Sequence, residues 1–117
     1  MNFNNFNKRP TKKDYDYCDS LGHITESDFS YLTIDTSMIT DVWYWYVEGY
    51  YEGNGAMILK DLSGNFHTHD CGHCSCYGPV ERLALNAPYS SLDAIKGSMT
   101  EDCYDDYEDL IEWIKAQ

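Results

Sequence analysis

Asp41-Val42-Trp43-Tyr44-Trp45-Tyr46-Val47 is the stretch on which the reading of this chain turns. Aromatic and β-branched residues suit the pleated, packed surface of a strand, and the run predicts one from Asp41 to Tyr51. Side chains alternate along a strand, so Trp43, Trp45 and Val47 share one face while Tyr44, Tyr46 and Glu48 share the other. Downstream, Gly53-Asn54-Gly55 is a turn signal, because glycine and asparagine accept positive φ angles. Ala56 to Asp61 reads as a second strand, Ser63-Gly64-Asn65 as a second turn, and Phe66 to Asp70 as a third strand. Three strands joined by two tight turns make an antiparallel β-meander.

The carboxy-terminal part has a different period. Ser90 or Ser91 is placed to cap a short helix over Leu92 to Lys96, with Gly97 ending it. Thr100 then caps a longer helix from Glu101 to about Ala116. Cys103, Tyr107, Leu110, Ile111 and Ile114 recur at the spacing of one helical face. Glu101, Asp102, Asp105, Asp109 and Glu112 fall opposite. Early acids suit the positive end of the helix dipole and Lys115 the negative end. The fold class expected is therefore α+β, a three-stranded antiparallel meander packed against carboxy-terminal helices.

Upstream of the meander the pattern is weaker. Thr25-Glu26-Ser27-Asp28 is suited to cap a short helix running to about Leu32. Residues 1–13 are rich in asparagine and lysine without periodicity, and read as a flexible tail. Residues 14–117 then form a single α+β domain, as the 117-residue length suggests.

Composition narrows the function. Apolar residues make up 43% of the chain, which argues against disorder. No apolar run approaches the ~20 residues that span a bilayer. Residues 1–13 lack the apolar stretch of a secretory signal, so a cytoplasmic protein without a membrane partner is expected. Lys8, Arg9, Lys12 and Lys13 precede every acid. From Asp14 onward 4 basic residues face 20 acidic ones, a net of −16. Such a body repels a phosphate backbone, since nucleic-acid binding relies on Lys and Arg displacing counterions. A basic protein surface or a metal ion is the better match. No P-loop, Gly-rich dinucleotide fingerprint or triad is present, and a non-enzymatic role is expected.

The densest chemistry lies in His67-Thr68-His69-Asp70-Cys71-Gly72-His73-Cys74-Ser75-Cys76. The cysteines number five and three lie within six residues, a pattern closer to reduced thiols or a metal site than to a disulfide framework. On a strand, His67, His69 and Cys71 project from one face. Cys71 and Cys74 have C-x-x-C spacing. Structural zinc takes four N or S ligands, which Cys71, Cys74 and Cys76 with His69 or His73 supply, with Cys18, His23 and Cys103 as distant candidates. The alternatives are plain thiols, or a catalytic Cys74 activated by His73 or His69. Surrounding acidity works against that thiolate.

Two surfaces remain. With the tryptophan face as core, the tyrosine face of the aromatic strand is either covered by a helix or exposed; exposed, Tyr44 and Tyr46 offer rigid amphipathic area for a protein partner. On the last helix, Asp102, Asp105, Asp106, Asp109 and Glu112 set carboxylates along ~15 Å of helix. Such a row either faces solvent or stands in for nucleic-acid phosphates.

Tyr51-Glu52-Gly53-Asn54-Gly55, followed by Gly72-His73-Cys74-Ser75-Cys76-Tyr77-Gly78-Pro79, resembles a set of short bacteriophage-encoded proteins. The resemblance runs from the aromatic strand to about Glu81, and its second motif is the more specific. It carries no activity and no residue roles. What it implies is a setting: a small phage protein in the host bacterial cytoplasm, of a kind that often blocks a host enzyme or a defence system. The leading expectation is a phage anti-defence inhibitor of anti-CRISPR or anti-nuclease type. It would bind a bacterial host protein with a basic, nucleic-acid-binding surface through the helix carboxylates and exposed tyrosines. The alternative is a small zinc-binding interaction module built on His69, Cys71, Cys74 and Cys76.

Overall fold

The computed structural model describes residues 1–10, 20–49, 51–72, 78–85 and 87–117. Its centre is β3 (Ile39–Glu48), which holds the aromatic run and pairs antiparallel with β4 (Gly53–Asp61). β4 in turn pairs antiparallel with β5 (Phe66–Asp70). The expected meander is thus part of a larger mixed sheet. β1 (Asn2–Asn5) runs parallel to the first half of β3, and β2 (Ser20–Leu21) runs antiparallel to its end. Two helices follow, α1 (Leu92–Ser98) and α2 (Glu101–Lys115).

The unbroken apolar run of β3 has a physical reason: both faces of the sheet are covered. On one face Trp45, Val47, Ala56 and Ile58 pack with Ile95 of α1 and Tyr107, Leu110 and Ile111 of α2. On the other, Val42, Tyr44, Tyr46, Met57 and Leu59 pack with Ile24, Phe29, Val80 and Leu83, which come from loops and a single 3₁₀ turn. A register shift between Ile39 and Asp41 changes the alternation, and Ile39 joins Val42 on this second face. A strand buried on both sides shows a continuous hydrophobic run in place of strict alternation.

Register pairs large side chains with small ones. Trp45 lies opposite Ala56 and Tyr46 opposite Gly55. A Cβ on Gly55 would sit 2.4 Å from the backbone oxygen of Trp45 and 3.1 Å from Cβ of Cys71. Gly22 meets the same ring from another side, where a Cβ would fall 2.6 Å from Cδ2 of Tyr46. These glycines make room for a packed aromatic and do not turn the chain. Gly53, Asn54 and Gly55 lie inside β4, not in a turn as their residue types suggest. The reversal falls earlier, where Gly49 N–H donates to Glu52 O at 2.8 Å.

The β4–β5 turn is as expected, and Asp61 organises it. Its Oδ1 accepts from the N–H groups of Ser63 and Asn65 at 2.9 and 3.0 Å. Its Oδ2 lies 2.9 Å from Nε2 of buried His67. The His67 hydrogen bond is the largest cause of a lowered Asp61 pKa. Gly64 takes φ 84°, the left-handed conformation that a side chain disfavours.

Two upstream expectations change. Residues 2–5 are an edge strand and Pro10 is buried, so residues 1–10 are not the tail that composition suggested; residues 11–13 lie outside the described residues. Phe3 packs edge-on to Phe29 at 5.6 Å between centroids, and Phe6 lies 5.1 Å from Trp113. Phe3 within the strand and Phe6 just after it add aromatic anchors to the backbone pairing with β3. The Thr25 cap is present, with Thr25 N–H donating to Asp28 Oδ2 at 2.8 Å, but it starts one 3₁₀ turn over Glu26–Phe29. Gly97 lies within α1 without positive φ, and Met99 follows as the cap.

Candidate functional site

Helix α2 forms where its sequence expects. Thr100 Oγ1 accepts from Cys103 N–H at 3.4 Å, Glu101 and Asp102 occupy the first turn, and Lys115 the last. Tyr107, Leu110 and Ile111 are buried against the sheet. Burial pushes the Tyr107 phenol well above its usual range, so it stays neutral. Trp45 Nε1 donates to the backbone oxygen of Asp106 at 2.6 Å, clamping the middle of the helix onto β3. Lys115 is hydrogen-bonded to Asp93 of α1. The helix is thereby held in one orientation.

That orientation turns the carboxylates outward. Helix α2 carries seven acidic residues against one lysine. Glu101, Asp102 and Glu112 are exposed, while Asp105, Asp106 and Asp109 are half-buried. A cleft of about 330 Å³ lies at the amino-terminal part of the row, lined by Lys96, Met99, Glu101, Tyr104, Asp105 and Glu108. Lys96 Nζ sits 5.8 Å from the Tyr104 ring centroid. Burial, then the charge of Glu108, raises the Tyr104 pKa. Further along, a groove of about 390 Å³ is lined by Phe6, Lys8, Arg9, Asp109, Glu112 and Trp113. Lys8 and Arg9 beside the acidic row were not legible in the sequence. The Phe3 and Phe6 anchors were the one available signal.

The tyrosine expectation is corrected. Tyr44 and Tyr46 are each 2% exposed. The Tyr44 hydroxyl accepts from Ile24 N–H at 3.0 Å, and burial raises its pKa. Segments around Ile24, Phe29, Val80 and Leu83 cover this face, while α1 and α2 lie on the tryptophan face instead, so neither tyrosine can meet a partner in the folded chain.

The His/Cys cluster is described only in part, since His73, Cys74 and Cys76 lie outside the described residues. His67, His69 and Cys71 share the sheet face expected for them, opposite Leu59, Met57 and Gly55 in the pairing. His69 Nε2 donates to Pro79 O at 2.7 Å, which leaves Nδ1 as the atom it can offer a metal. Burial depresses the His69 pKa and keeps the ring neutral. His67 Nδ1 is buried with no partner among the described residues. No group of three or more His, Cys, Asp or Glu side chains among the described residues is arranged to hold a metal ion.

Cys71 is fully buried, and that burial, followed by the Asp70 charge, pushes its thiol pKa well up. Cys103, expected on the apolar face of α2, is instead exposed in its first turn, where the helix reaches beyond the sheet-packed stripe of Tyr107, Leu110 and Ile111. Thiolate fraction and access both control reactivity. Iodoacetamide labelling of the native protein, read by peptide mass spectrometry, is expected to modify Cys103 and spare Cys71 until denaturant is added. Equal labelling of the two would contradict the burial of Cys71.

No helix among the described residues is long and apolar enough to cross a membrane. Comparison of the chain with protein-family models, curated proteins and solved structures returned no match.

Proposed function

We propose that this chain is a non-enzymatic inhibitor that binds a bacterial nucleic-acid-binding protein through the carboxylate face of α2. The supporting observation is the orientation of that helix: its apolar stripe is buried on the sheet, and its seven acids lie along the remainder. A rigid row of carboxylates offers a basic groove the charge it normally finds in phosphates. The strongly acidic body adds long-range attraction to such a groove. The resemblance to phage proteins suggests the setting, a nuclease or CRISPR effector in an infected cell. Tyr44 and Tyr46 take no part.

The test is capture from bacterial lysate on immobilised protein, followed by elution with duplex DNA or with structured RNA. One retained nucleic-acid-binding protein, released by the nucleic acid it normally holds and blocked from binding it by this chain, is the expected result. Partners that ignore competing nucleic acid would sink the mimicry.

A further inference from the structure

The acidic row does not stand wholly open. After β1 the chain is held beside β3 by Phe6 N–H donating to Tyr44 O at 2.8 Å. Asn7 then takes φ 58°, and among the described residues no other non-glycine has a positive φ. Its N–H donates to Asn5 Oδ1 at 2.8 Å. A left-handed residue outside glycine persists where its surroundings hold it, and here it redirects the chain as it leaves the sheet. The segment so directed carries Lys8 and Arg9 to the groove that they line with Asp109 and Glu112. Phe6 against Trp113 fixes one end, and buried Pro10 the other. Lys8 Nζ lies 5.8 Å from the Phe6 ring centroid, so its charge stays beside the groove.

We propose that Phe6–Arg9 is a basic strap that masks the Asp109–Glu112 end of the acidic face, so that a basic partner gains that end only by competing with Lys8 and Arg9. The proposal rests on the reading of α2 as the binding face. It makes the strap a selectivity device: a partner gains the Asp109–Glu112 carboxylates only where its surface is basic enough to displace Lys8 and Arg9.

The probe is nona-arginine peptide, titrated calorimetrically at low salt into the full chain. Lys8→Ala/Arg9→Ala is expected to tighten binding roughly three- to tenfold, the range that removing two competing surface charges supplies. The gain should shrink as salt rises. In an Asp109→Asn/Glu112→Gln background the same pair of changes is expected to have little effect, because the masked carboxylates are gone. Unaltered affinity in Lys8→Ala/Arg9→Ala overturns the strap, as does an equal gain in both backgrounds, which would reflect net charge alone. If neither the parent nor the variant binds nona-arginine, the reading of α2 as a cation-binding face fails with it. Binding without a strap effect leaves that reading intact.

Discussion

Gly55→Ala is expected to destabilise the protein by about 3 kcal/mol, at the upper end of what overpacking a core costs. The new Cβ would meet the backbone oxygen of Trp45 at 2.4 Å, and a backbone atom in a paired strand cannot swing aside. Relief requires β3 and β4 to separate where Trp45 and Tyr46 carry both core faces. Gly97→Ala is the control, since nothing lies within 4 Å of the added atom and the residue is helical. There the same change is expected to stabilise by about 0.5–1 kcal/mol, through the smaller entropy loss of alanine. Urea unfolding of both variants reads the difference, a lowered midpoint for one and a raised midpoint for the other. An unmoved midpoint in Gly55→Ala would show that the two strands are not in such close contact.

Reversing Asp105 and Asp109 to lysine is expected to weaken partner binding about a hundredfold or more, since close interfacial charge pairs couple by roughly 1.5 kcal/mol or above each. The two lie one turn apart in the row, outside the buried Tyr107–Leu110–Ile111 stripe. Both are half-buried at the edge of that stripe and not within it, so melting temperature should fall by several degrees while the fold is kept. The loss should be steepest at low salt and flatten as ionic strength rises. Binding to the captured host protein, measured by biolayer interferometry across a salt series, provides the check. Undiminished affinity in a folded double variant would remove α2 from the interface.

These two substitutions show how differently features were written in the chain. The acidic face of α2 follows from local periodicity, because the residues that share a helical face lie three and four positions apart. Gly55 carries no comparable mark. Beside Gly53 and Asn54 it looks like turn chemistry, and only the approach of Trp45, Tyr46 and Cys71 from elsewhere explains it. Tyr44 and Tyr46 are an intermediate case. Alternation put them on one face, but whether that face was covered depended on residues 24–34 and 78–85, which show no regular pattern.

The strand order of the meander, the Asp61–Asn65 turn and the faces of α2 were set by short-range rules: pleat, turn chemistry and helical period act between near neighbours. The parallel addition of β1, the burial of the tyrosines and the arrival of Lys8 and Arg9 beside Asp109 and Glu112 are pairings across long separations. Each depends on which distant surface is left to be covered once the sheet has formed. Residue types alone carry no record of that choice, because an asparagine-rich segment satisfies its backbone equally well in water or along the edge of a strand.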